Sequence, residues 1–321
     1  MKICVVGAGR WGSLITWYLS EKKKFDVTLY GREGSEHIQR FISERRNDLL
    51  ILPDSVGIST DIGCLADADI IIISINSQGL SAFMSEIEFL GLKNKIFVLC
   101  MKGIEISTGR RLSEIVTPAC DESNKVAVWV GPGHVQEFYA GIPNCMVIDS
   151  EDEGTKHMLV DAFSSDLIRF YYGEDLIGSE IGAAAKNVIG IAAGMLDGAG
   201  LSTLKGALMS RGCREVGRLI DKMGGNELSA YGLCHLGDYE ATVFSKFSHN
   251  RAFGEAYIKG ERFEKLAEGY YTAKALMLLS EKYGVDMPIC RCVYEIIHEG
   301  RDAHEAMSSL FTRSIKTEFY K

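Results

Sequence analysis

Six residues near the start of the chain, Gly7-Ala8-Gly9-Arg10-Trp11-Gly12, constrain its fold more than any other segment. They follow Lys2–Val6, a short β-branched run that reads as a buried strand. They open a stretch of helical spacing that runs from Trp11 to about Lys22. GxGxxG between a strand and a helix is a phosphate cradle. Gly7 permits the tight turn, Gly9 lets the backbone approach a pyrophosphate, and Gly12 lets the helix pack closely on the sheet. The helix then offers free N–H groups and a partial positive charge to an anion. A glycine-rich turn alone is weak evidence, but this position after a first strand makes it a dinucleotide-binding signal.

The segments that follow alternate between strand-like and helical patterns. Phe25–Tyr30, Ile70–Ile75, Ile96–Cys100, Val126–Val130, Cys145–Ile148 and Ile168–Tyr171 read as strands. Such alternation predicts a doubly wound parallel sheet of the Rossmann type. After about Gly173 the strand-like runs stop. Ile177–Met195, Lys205–Met223 and Tyr271–Lys282 carry helical spacing. The expectation is an α/β chain: a dinucleotide-binding domain over 1–174 and an all-helical substrate domain over 175–321. No Pro- or Gly-rich linker parts the halves, so they should pack across a shared cleft.

Length and composition agree with this division. A chain of 321 residues suits two cores rather than one. The net charge of −8 excludes a bulk basic field for nucleic acid, and Lys22–Lys24 is too short a basic run to form one. Ile70–Ile75 is too short to cross a bilayer, and the N-terminus runs directly into a strand, so no membrane insertion is expected. The nine cysteines are scattered, and Cys290 and Cys292 lack a zinc or redox spacing. Reduced thiols, a cytoplasmic location and no metal are the expectation.

The second strand runs into Gly31-Arg32-Glu33. An acidic residue there bonds a ribose 2′-hydroxyl, whereas an arginine accepts a 2′-phosphate. Arg32 favours NADPH, and Glu33 keeps NAD open.

Further segments bear on the chemistry: Met101-Lys102-Gly103-Ile104-Glu105, Gly131-Pro132, Ala185-Lys186-Asn187-Val188-Ile189, Gly194–Gly198, Leu236-Gly237-Asp238, Asn250–Gly254 and Ala267–Tyr270. With the glycine loop in front, this series resembles NAD(P)-dependent glycerol-3-phosphate dehydrogenases over essentially the whole chain. Lys186-Asn187 and the later Leu-Gly-Asp are its most specific parts. The resemblance implies reversible reduction of dihydroxyacetone phosphate to sn-glycerol 3-phosphate in a homodimer. It implies Lys186 as the catalytic acid, with Asp238 beside it. Lys102, Gly131, Asn187, Thr242, His249 and Asn250 would line the substrate site. Gly7, Gly9, Arg10, Trp11, Gly12, Lys102, Val135 and Glu268 would surround the cofactor, with Arg32 at its ribose.

The chemistry also stands without the resemblance. A ketone that accepts a hydride becomes an alkoxide, which needs a proton and a nearby positive group. A lysine tuned by burial supplies both. Lys186 lies in an otherwise apolar helix, where an unused lysine is costly.

The chain departs from the family at three places. Val130-Gly131-Pro132-Gly133-His134-Val135 lacks a hydroxyl that would line the cofactor site. His249 stands where the family's arginine contacts phosphate, and imidazole is only partly charged near neutrality. Leu201–Lys205 replaces an Asn-rich loop, with Lys205 as a candidate phosphate-facing charge. These departures leave open another small phosphorylated or acidic keto substrate, or a non-catalytic nucleotide sensor.

Overall fold

The computed structural model describes residues 1–315, 317 and 318, so residues 316 and 319–321 of the expected second domain lie outside it. Eight strands form one sheet: β1 (Lys2–Val6), β2 (Asp26–Tyr30), β3 (Gly57–Ser59), β4 (Ile70–Ile73), β5 (Ile96–Leu99), β6 (Lys125–Val130), β7 (Asn144–Asp149) and β8 (Ile168–Tyr172), in spatial order β3-β2-β1-β4-β5-β6-β7-β8. The first six follow the 3-2-1-4-5-6 order of dinucleotide-binding sheets, whose crevice opens where the order reverses, beyond β1 and β4. All four isoleucines of β4 are fully buried, as a central strand covered on both faces requires. Alternate residues serve opposite faces. Val5, Ile72 and Val98 join one core, while Val6, Ile73 and Leu99 join the other.

The sheet differs from the expectation in two respects. First, β7 runs antiparallel to β6, with Val130 opposite Val147 and Val128 opposite Asp149. The helix in the β6–β7 connection, α5 (Val135–Tyr139), has five residues. It rises only about 7.5 Å, too little to return the chain along a six-residue strand of about 20 Å. Second, β3 is an edge strand of three residues, too short to carry a pattern.

Helices α1 (Arg10–Trp17), α2 (Glu36–Glu44), α3 (Leu80–Ile87), α4 (Leu112–Val116), α5 and α6 (Glu153–Phe163) complete the first half. The described remainder holds α7 (Leu176–Gly198), α8 (Lys205–Lys222), α9 (His249–Lys259), α10 (Glu268–Tyr283), α11 (Pro288–Glu299) and α12 (Ala303–Phe311), without a strand. α7 is long and apolar enough to cross a bilayer, but 89% of its apolar window is buried inside the protein. It packs on α8, α9, α10 and α11. The α7–α9 contact is backbone on backbone: a Cβ at Gly194 would fall 1.9 Å from the Arg251 carbonyl oxygen, and one at Gly254 would fall 2.1 Å from that of Ile191.

The foot of α7 also touches the sheet. Ser179 Oγ donates to Asp149 at 2.8 Å, and the Asp175 amide donates to the same oxygen at 3.2 Å. Glu180 is buried and accepts from Arg111 at 2.6 Å and from the Ser113 hydroxyl at 2.6 Å, joining the helix to α4. All nine cysteines are free thiols.

Candidate active site

The glycine loop leaves β1 at the sheet's crevice. Gly7 has φ +109°, and a Cβ there would lie 2.3 Å from the Ser74 carbonyl oxygen. A Cβ at Gly12 would lie 1.9 Å from the Gly7 carbonyl oxygen. Both glycines are required by the protein's own packing. Gly9 is different: its φ of −72° suits any residue, and a Cβ would meet nothing within 4 Å. No internal contact explains a glycine at 9, whereas a pyrophosphate approaching the backbone would. The residues present therefore fit a dinucleotide. Trp11 packs against Phe138 at 6.0 Å, and Val135 is buried at the start of α5. Arg32 stands apart, exposed beyond the end of β2.

At the C-terminal ends of β5 and β6 the two halves meet in a charged cluster. Asp238 Oδ2 receives Lys186 Nζ at 2.6 Å and Lys102 Nζ at 2.6 Å. Lys186 also donates to Thr242 Oγ1 at 2.9 Å, and Lys102 donates to the Gly131 carbonyl. Asp238 is 1% exposed and Lys186 7%. Two ammonium groups thus share one carboxylate away from bulk water, which leaves a local excess of positive charge. Burial pushes the Lys186 pKa down to about 8, Asp238 opposes the shift, and Lys102 adds to it. Each ammonium has three N–H bonds, and two of each are accounted for by these contacts.

A polar relay lies beside the cluster. Asn187 Nδ2 donates to the Lys102 carbonyl at 3.0 Å, its Oδ1 accepts from Asn250 Nδ2 at 3.0 Å, and Asn250 Oδ1 accepts from the Gly269 amide at 2.9 Å. Glu268, next in the chain, accepts from Ser77 Oγ at 3.0 Å, and burial raises its pKa. His249 meets Arg10: Nη1 and Nε2 are 3.0 Å apart.

Lys205 does not supply a free phosphate-facing charge. It is buried, pairs with Asp197 at 2.6 Å and donates to the Val243 carbonyl at 3.1 Å. Arg251 shares the same carboxylate at 2.7 Å. The Leu201–Lys205 segment after α7 is therefore pinned by its own ion pairs.

Several residues at the site carried no sequence signal. Ser77 links the first half to Glu268. His235 is fully buried, bonded through Nδ1 to the Gly182 carbonyl at 2.8 Å and through Nε2 to Tyr239 Oη at 2.6 Å. Burial holds its pKa down to about 4, so it is a neutral brace between α7 and the Asp238 segment. His134 Nε2 is buried with no partner. Its pKa is lowered first by burial, then by Lys186.

Comparison with known proteins gives the same picture over the full length. The family model for the NAD-dependent glycerol-3-phosphate dehydrogenase N-terminus matches residues 2–156, and that for the C-terminus matches residues 175–308. A glycerol-3-phosphate dehydrogenase [NAD(P)+] of Pelodictyon phaeoclathratiforme is 35% identical, over 99% of each chain. One of Chlorobium phaeobacteroides is 36% identical, again over 99% of each. The crystal structure of glycerol-3-phosphate dehydrogenase from Coxiella burnetii superposes with a TM-score of 0.91 at 27% identity, covering 97% of this chain and 99% of that one. With full-length identity at this level and both family models matched in order, this chain belongs to the NAD-dependent glycerol-3-phosphate dehydrogenase family.

Proposed function

We propose that the protein interconverts dihydroxyacetone phosphate and sn-glycerol 3-phosphate with NAD(P)H. The observation that carries the reading is the buried cluster in which Lys186 and Lys102 share Asp238 at the mouth of the dinucleotide cradle. The nicotinamide, when bound, supplies the hydride. Lys186 donates its proton to the developing alkoxide and becomes neutral, a step suited to an ammonium with a pKa near 8. Lys102 stays charged and stabilises the oxyanion, while Asp238 and Thr242 aim the Lys186 ammonium. Asn187 and Asn250 hold that side of the pocket in register, and Gly131 anchors Lys102. Trp11, Val135 and Glu268 belong to the cofactor side in this reading.

The boundary between the two domains falls after residue 174 in this reading, supported by the end of β8 at Tyr172 and the start of α7 at Leu176. A cytoplasmic homodimer belongs to the same reading and rests on likeness to the family alone. The test of the activity is absorbance loss of NADPH and NADH with a panel of keto substrates. Dihydroxyacetone phosphate should give the highest kcat/KM; another small phosphorylated or acidic keto compound that clearly exceeds it would replace the reading. That second reading draws on His249, which stands where the family resemblance implies an arginine.

Arg32 at the end of β2 supports a preference for NADPH. Arg32→Ala should weaken NADPH more than NADH, by the worth of one charge-assisted contact, about 1.5–3 kcal/mol. Equal weakening of both cofactors in a fluorescence titration would remove Arg32 from this role.

A further inference from the structure

Four cations around the cleft share two carboxylates. Lys102 and Lys186 share Asp238, and Lys205 and Arg251 share Asp197. Among the described residues no carboxylate pairs with Arg10. Its guanidinium reaches His249 Nε2 through Nη1 at 3.0 Å and Gln136 Oε1 through Nη2 at 3.3 Å. The state of His249 follows from its neighbours. Nδ1 lies 3.3 Å from the Leu266 carbonyl, which only accepts, so Nδ1 carries the hydrogen. Nε2 then offers its lone pair to Arg10. Burial lowers the His249 pKa, the charges of Arg10 and Lys265 add to this, and the Leu266 carbonyl opposes it. His249 therefore contributes no charge; it holds a guanidinium that does.

The location of this guanidinium matters. Arg10 leaves the glycine loop of the first half, and His249 opens α9 of the second, so the contact bridges the cleft. His249 adjoins Asn250, which bonds Asn187, the neighbour of Lys186. His134 lies in the field of the same groups, since Arg10, Lys102 and Lys186 all depress its pKa, and its Nε2 is buried without a partner. One guanidinium without a carboxylate and one buried ring nitrogen without a partner thus lie near a cluster that already holds excess positive charge. A planar fork of N–H donors without a carboxylate matches a phosphoryl group.

Resting on the function proposed above, we propose that Arg10, oriented by His249, is the cation that recognises the phosphate of the substrate. Two ligands could bring a phosphoryl anion to this spot: the three-carbon substrate and the pyrophosphate of the cofactor. Comparison of dihydroxyacetone phosphate with unphosphorylated dihydroxyacetone separates them. Arg10→Ala should lower kcat/KM for dihydroxyacetone phosphate about 10- to 100-fold. The loss with dihydroxyacetone phosphate should exceed, by that factor, any loss with unphosphorylated dihydroxyacetone or in NADPH affinity by fluorescence titration. Adding His249→Arg to Arg10→Ala should restore most of the loss, because it returns a guanidinium to the same place from the other side of the cleft. Equal losses with both substrates, together with weaker NADPH binding, would overturn the substrate assignment in favour of the cofactor. Failure of His249→Arg to restore activity would also overturn it. Calorimetric titration of the protein with sn-glycerol 3-phosphate keeps this proposal apart from the activity. If binding depends on Arg10 while no substrate turns over, the clamp stands and the dehydrogenase reading falls.

Discussion

Lys186→Met is expected to lower turnover by a factor on the order of 10²–10⁴, the combined worth of a positioned acid and an oxyanion stabiliser. Methionine keeps most of the side-chain volume. The variant should fold, because Asp238 keeps Lys102 as a partner and no buried carboxylate is orphaned. NADPH affinity should hold. The pH dependence has a definite sign. Lys186 has a pKa lowered to about 8, and the proposed reduction uses its protonated form. The reduction rate should therefore fall as pH rises through about 8, while alcohol oxidation, which needs the neutral amine, should rise. Asp238→Asn removes the group that holds the Lys186 pKa up and leaves two ammoniums side by side. Its limb should move to lower pH. Steady-state kinetics in both directions from pH 6 to about 10 would check both variants. Full turnover by Lys186→Met, with any accepted substrate, would reject Lys186 as the acid.

The second large effect is expected at Gly9. Replacing it by valine should weaken NADPH binding about 100-fold, equivalent to losing one or two charge-assisted hydrogen bonds between backbone and pyrophosphate. The thermal midpoint should barely move, because the backbone at 9 tolerates any residue and an added Cβ meets no protein atom within 4 Å. Gly12 offers the contrast, since even a Cβ there collides with the carbonyl of Gly7. A fluorescence titration beside a melting curve separates the two kinds of glycine. Unchanged affinity in Gly9→Val would mean that the cradle holds no pyrophosphate.

The legible parts of this molecule are those whose signal is local. The glycine loop, the four isoleucines of β4 and the apolar length of α7 each announce themselves within a few residues. The reversal at β7 does not, because strand direction depends on how far a connection can travel, and the five residues of α5 do not differ in kind from a crossover helix. At the site, Lys186 was legible as a costly lysine in an apolar stretch. Its partner Asp238 was legible only through resemblance, since 52 residues separate them and no spacing rule joins α7 to a turn. The Arg10–His249 contact spans 239 residues, and nothing in either segment points to the other. Lys205 illustrates the opposite failure. A basic residue in a loop suggested a free charge, yet Asp197, eight positions earlier, had already claimed it.

The reversed strand also sets a measure. Because β7 and β8 run against the first six strands, the chain leaves the sheet low down, where Leu176 lines the same hollow as Lys125 and Val126 at the start of β6. From there α7 climbs, and Lys186 comes ten residues later, about 15 Å up its axis. The five residue steps from Val126 to Gly131 rise about 16 Å, so the ammonium arrives level with the upper end of β6 and the carbonyl of Gly131. The helix is a ruler laid against the sheet, with its zero mark fixed by the hydrogen bonds from Ser179 and the Asp175 amide to Asp149. The height at which Lys186 stands is thus written as a residue count, set by the stretch of chain between the foot of α7 and the charged cluster.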